Sequence, residues 1–113
     1  MALDMYAGIY VRDYEAAKTW YALLLGGEPS YVASATEAVW ELAAHRSIAI
    51  EQNAGHAGHC IITLFVDDFD ARIGAIAARG IDPVERLTYR NGVRKAIYRD
   101  PDGNEIGLGG APA

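Results

Sequence analysis

From Tyr6 to Val11 the side chains alternate, with Ala7, Ile9 and Val11 on one side and Tyr6, Gly8 and Tyr10 on the other, the period-two pattern of a strand. Beyond Asp13 the period lengthens. Ala16, Ala17, Trp20, Leu23 and Leu24 recur at helical spacing, Asp13 is suited to cap the start, and Gly26 and Gly27 stop the helix after about Leu25. That stripe is expected to pack on the Ala7, Ile9 and Val11 side. Three short strands are predicted near Ser30–Ala33, Ala38–Ala43 and Ser47–Gln52, which gives a βαβββ order.

The same order then returns. Ile61 to Val66 reads as a strand, Asp68 as the helix cap, and Phe69 to Arg79 as a helix ended by Gly80. Pro83–Tyr89 and Val93–Arg99 form a predicted hairpin about Asn91-Gly92, a dipeptide that favours positive-φ turns. A second turn, Asp100-Pro-Asp-Gly-Asn104, leads into the strand Glu105-Ile-Gly-Leu108. Asp13, Tyr14 and Ala16 fall on Asp68, Phe69 and Ala71, each 55 residues later. A repeat this long implies two supersecondary modules, because a solenoid needs several shorter units. We therefore expect one α+β domain of two tandem βαβββ modules, about residues 3–53 and 61–110, joined by a glycine-rich linker at 54–60.

Composition narrows the function more than the fold. At 113 residues and 51% hydrophobic content, a single domain with a sizeable core is expected. No apolar run is long enough to span a membrane, and the N-terminal residues lack a signal-peptide pattern, so a soluble, cytoplasmic protein is expected. The formal charge of −5 argues against nucleic-acid binding, which depends on clustered Lys and Arg. Arg90, Arg94, Lys95 and Arg99 alternate with apolar positions and read as a solvated strand face. Cys60 has no partner for an internal disulfide and reads as a small buried residue rather than a nucleophile.

The paired modules, the Gly-Ile-Tyr-Val-x-Asp strand running into an Ala-rich helix with Trp20 and Tyr21, and the Asp100–Asn104 turn before the last strand resemble the vicinal oxygen chelate superfamily. That superfamily includes glyoxalase I, extradiol dioxygenases, and fosfomycin- and bleomycin-resistance proteins. The resemblance runs from about Leu3 to Leu108 and implies a cupped mixed sheet. In the enzymes, four strand positions supply His, Glu or Gln to a divalent metal that the substrate's oxygens chelate. Here the matching positions hold Tyr6, Ala49, Ile61 and Gly107, which lack that donor set. A shifted set of His59, Glu105 and Glu51 would need ligands displaced by about 6–7 Å along their strands. His56 and His59 otherwise read as an exposed linker pair, and His45 as a loop residue.

The resemblance is thus closest in character to the metal-free bleomycin-resistance-like members, which act as homodimers with drug-binding grooves between subunits. No metal or other cofactor and no catalytic residue is expected; the partners expected are a small molecule and a second copy of the chain. Strand parity places Tyr6, Gly8 and Tyr10 with Ser47 and Glu51, and Ile61, Thr63 and Phe65 with Glu105, Gly107 and Gly109, toward the binding face. We take Tyr6, Tyr10, Trp40, Ser47, Glu51, Thr63, Phe65, Tyr98 and Glu105 as candidate ligand-binding residues. Aromatic rings there would stack on a planar ligand and a carboxylate would meet a cation. The alternatives are a metal-dependent lyase, isomerase or dioxygenase on the shifted ligands, and a non-catalytic regulatory or assembly module.

Overall fold

A computed structural model describes residues 3–113. The first module comprises β1 (Met5–Val11), α1 (Tyr14–Leu25), β2 (Tyr31–Ser34), β3 (Glu37–Ala43) and β4 (Arg46–Gln52). The second comprises β5 (Ile61–Val66), α2 (Phe69–Ala78), β6 (Glu85–Thr88), β7 (Arg94–Arg99) and β8 (Glu105–Gly110). Each module makes its own four-stranded mixed sheet, ordered β1-β4-β3-β2 and β5-β8-β7-β6. In each, the first strand runs parallel to the last and the other pairings are antiparallel. The repeat read from the sequence is therefore a repeat of topology, strand for strand.

Local chemistry sets the helix limits. The Asp13 carboxylate accepts from the Ala16 amide at 3.1 Å, and Gly26 takes the left-handed conformation, φ 87°, that ends α1. Asp68 begins α2 without a side-chain capping bond and instead pairs with Arg72 at 3.1 Å. The inward face of α1 is Tyr14, Ala17, Tyr21 and Leu24. This corrects the predicted stripe, since Ala16 and Leu23 are exposed and Trp20 is half-buried. Tyr21 turns inward because its hydroxyl finds a buried acceptor, described below.

One core serves both modules. Ile9, Val11, Ala38, Trp40, Ile48 and Ile50 of the first sheet join Ala96, Tyr98, Ile106 and Leu108 of the second through the buried sides of the two helices. Arg79 adds a polar link, donating to the Leu23 and Leu24 carbonyls at 2.5 and 3.1 Å, at the negative end of α1. Packing is tight at Gly110, where an added Cβ would stand 2.5 Å from Phe69 Cβ and 2.6 Å from Cγ. Phe69 is buried and cannot swing away. Gly110→Ala is expected to cost about 3 kcal/mol in a urea melt, and an unchanged midpoint would contradict this packing.

The Asp100–Asn104 turn fastens the modules together. The buried Asp100 carboxylate accepts from Tyr21 Oη at 2.8 Å, from the amides of Asp102 and Asn104 at 2.9 Å, and from Asn104 Nδ2 at 2.8 Å. Asn104 then reaches both first strands: Nδ2 donates to the Tyr10 carbonyl at 3.0 Å, and Oδ1 accepts from the Cys60 amide at 2.9 Å. Asp102 accepts from the Arg12 amide at 3.0 Å. A single turn thus fixes the ends of β1 and β5 relative to one another.

Burial, and then the Asp100 charge, raise the Tyr21 phenol above its ordinary pKa of about 10. The folded chain holds that proton more tightly than the unfolded chain. Its contribution is therefore intact below pH 10 and is lost as pH rises beyond it. The fall in stability above pH 10 is expected to be shallower in Tyr21→Phe, and parallel profiles for the two proteins would contradict the assignment.

Candidate functional site

Because both helices and one shared core lie between the sheets, the other face of each sheet is open. On the first, register places Tyr6, Gly8 and Tyr10 beside Ser47, Ala49 and Glu51, with Glu37, Val39 and Glu41 next and Tyr31 beyond. On the second it places Ile61, Thr63 and Phe65 beside Glu105, Gly107 and Gly109, and then Arg99, Ile97 and Lys95. Large apolar groups stand exposed on both: Tyr6 55%, Tyr10 43%, Ile61 67% and Phe65 65%.

Tyr6 and Tyr31 come from opposite edges of the first sheet, yet their hydroxyls lie 3.1 Å apart. On a flat sheet those edges would be about 14 Å apart, so the two rings lean toward each other over the middle strands. This roof accounts for the burial of Ala49 and Val39 on an otherwise open side. Tyr10 lies beside it, its ring 5.8 Å from that of His56. Glu37 and Glu51 are direct cross-strand neighbours, and with Glu41 they make this face acidic.

The second face is differently charged. Glu105 pairs with Arg99 at 3.3 Å and with Lys95 at 3.9 Å, and the Lys95 and Glu105 side chains are each only 16% exposed. Glu105 is therefore already engaged by two cations, whereas Glu51 makes no ion pair among the described residues. Lys95 and Arg99 had read as a solvated face. Their parity with Glu105 follows only from the β7–β8 register, which the sequence leaves open.

Seven of the nine candidate ligand-binding residues lie on the two open faces; Trp40 and Tyr98 do not. Trp40 packs in the core with Nε1 donating to the Gly27 carbonyl at 2.9 Å, and Tyr98 is wholly buried between its sheet and the helices. Both alternate out of phase with the open side, as Ile48 pairs with Trp40 and Ile106 with Tyr98. Nor do Tyr6 and Glu105 join Phe65 in bordering the cavity between the modules, among the described residues. This cavity, of about 800 Å³, lies beside the helix ends and is bordered by Leu24, Trp40, Leu64, Phe65, Ile76 and Arg79. The physical reason is the helix layer: it turns the two open faces away from one another.

The donor chemistry can be tested against the metal that the fold implies. Of Tyr6, Ala49, Ile61 and Gly107, only Tyr6 offers a side-chain donor, and its hydroxyl is bonded to Tyr31. Among the described residues no three His, Cys, Asp or Glu side chains converge, so His59, Glu105 and Glu51 are not assembled within one chain. These residues do not fit a chelated metal. His45 is a loop residue with positive φ, bonded to Asp4. Cys60 is half-buried, and burial raises its thiol pKa, which makes it a poor nucleophile.

The fold and its paired modules define a class, and comparison with known proteins agrees. A model of the glyoxalase/bleomycin resistance protein/dioxygenase superfamily matches residues 2–108, and the chain belongs to that superfamily. A glyoxalase/bleomycin resistance protein from Catenulispora acidiphila is 45% identical, with a TM-score of 0.95 over 98% of this chain and 100% of that one. A bleomycin-binding protein complexed with bleomycin shares the fold at 17% identity, TM-score 0.78, over 96% and 98% of the two chains. So does a lactoylglutathione lyase from Agrobacterium tumefaciens, at 18% identity and TM-score 0.72, over 97% and 94%. No curated protein matches the sequence. No described helix is long and apolar enough to cross a membrane.

Proposed function

We propose that this chain binds a small planar molecule, aromatic or cationic, without a metal and without catalysis. The binding groove is closed between the open face of the first module in one copy and that of the second module in another copy. The observation that carries this reading is the exposure of Tyr6, Tyr10, Ile61 and Phe65 on sheet faces that lack a chelating donor set. Exposed apolar surface of this kind marks an interaction site, and a homodimer bound face to face would bury it twice by symmetry.

Within the groove, Tyr10 and Phe65 stack on the ligand while Glu51, with Glu37 beside it, attracts a positive group. Such a protein acts by lowering the free concentration of its ligand, which requires affinity and no proton donor or nucleophile. A structural neighbour in complex with bleomycin supports drug sequestration as the class of activity. The unpaired cysteine fits a reducing compartment, and we assign the protein to the cytoplasm.

Incubation with Fe, Mn, Ni, Zn and Co followed by desalting tests the alternative chemistry. The expected result is no retained metal. Near-stoichiometric metal that is lost in His59→Ala would overturn the proposal and turn the search to enzymatic substrates. A dimer that buries both open faces and leaves no groove would instead make the chain an assembly module.

A further inference from the structure

On the open side of the second sheet, β8 carries no side chain at Gly107 or Gly109, and two neighbours lie down into the space. A Cβ at Gly107 would stand 2.5 Å from Lys95 Cε and 3.4 Å from both Lys95 Nζ and Thr63 Oγ1; one at Gly109 would stand 3.0 Å from Phe65 Cδ2. Thr63 is the cross-strand partner of Gly107, and Phe65 that of Gly109. The glycines therefore form a lowered floor on which an alkylammonium stem and an aromatic ring lie side by side. The Thr63 hydroxyl and the Lys95 ammonium are equally distant from the vacant Cβ position of Gly107.

The Lys95 ammonium is sheltered but not satisfied. Among the described residues its Nζ makes no hydrogen bond, and its nearest carboxylate oxygen, on Glu105, is 3.9 Å away. That carboxylate is closer to Arg99, at 3.3 Å. Two cations share one carboxylate, so a positive charge is left over, on a group with three donors to place. An anionic oxygen above Gly107 would accept from Lys95 and from Thr63 together, and a charge-assisted contact of this kind is stronger than a neutral one.

We propose that Lys95 and Thr63 form a seat for the carboxylate of a planar aromatic acid whose ring rests on Phe65. This deepens the binding function proposed above and rests on it. The acidic first-module face across the groove takes the ligand's other end, so an acid that also carries a cationic group satisfies both walls. The side chain missing at Gly107 is what makes room for the Lys95 stem.

Calorimetric titration of the full chain with naphthalene-2-carboxylate and its neutral isostere naphthalene-2-carboxamide tests this. The carboxylate is expected to bind about tenfold to a hundredfold more tightly than the amide. Lys95→Met, which keeps the stem over Gly107, should remove that preference by weakening carboxylate binding far more than carboxamide binding. Gly107→Ala, which displaces the stem, should also reduce that preference. Equal affinity for the two probes, or a preference that survives Lys95→Met, overturns the seat while leaving the groove standing. Absence of binding by either probe overturns both.

Discussion

Asp100→Ala is expected to lower stability by about 3–5 kcal/mol, the range for removing one member of a buried, fully bonded polar cluster. The substitution deprives Tyr21 Oη, Asn104 Nδ2 and two backbone amides of their common acceptor at once. The Tyr21 and Asn104 donors cannot turn to water, because Asp100, Asn104 and Tyr21 are all buried; the Asp102 amide belongs to a half-buried residue. A loss of this size is a large share of the roughly 5–15 kcal/mol that stabilises a domain of this kind. Asp100→Asn keeps one acceptor oxygen but aims an NH2 at a donor, so an intermediate loss of about 2 kcal/mol is expected. Urea denaturation of the three proteins measures both, and a loss below about 1 kcal/mol for the alanine variant would contradict the hub. The consequence reaches function, since Asn104 ties the Tyr10 carbonyl to the Cys60 amide and so sets how the two open faces are disposed.

The second large effect is expected at Phe65. Phe65→Glu should weaken self-association at least about a thousandfold. Burial of a Phe side chain contributes about 1.5–3 kcal/mol, and burying an unpaired carboxylate in its place costs several more. Together they exceed about 4 kcal/mol, or three decades in Kd. Phe65 is already exposed in the single chain, its ring lying over Gly109, so the fold itself should survive. Sedimentation equilibrium separates the outcomes: a dimeric wild type and a monomeric, folded variant are expected. A wild type that is monomeric at the same concentrations, or a variant that dimerises as well, would contradict the closed groove.

How much was legible in the sequence varied with the kind of information. The strands and helices were, because alternation at Tyr6–Val11 and Ile61–Val66, the Asp13 cap and the stops at Gly26 and Gly80 are all local signals. So was the doubling of the fold, carried by the 55-residue repeat. The facing of strands in mid-sheet was not. Trp40 and Tyr98 look like ligand-stacking aromatics until the pairings Trp40–Ile48 and Tyr98–Ile106 place them on the core side. The inward turn of Tyr21 depends on an acceptor 79 residues away, which helical spacing does not reveal. Likewise Lys95 and Arg99 read as solvated because their partner Glu105 lies on another strand, and its register is a tertiary fact. The lysine stem that lies over Gly107 was not legible either, because it crosses from another strand.

The central claim is that the open faces bind a planar ligand without a metal. Its most direct test is calorimetric titration of chelator-treated protein with a panel of aromatic and cationic compounds that includes bleomycin. The result predicted is saturable binding, unchanged by added divalent metal and weakened at least tenfold in Tyr10→Ala and Phe65→Ala. Binding that appears only when metal is restored, or no binding across the panel, would contradict it.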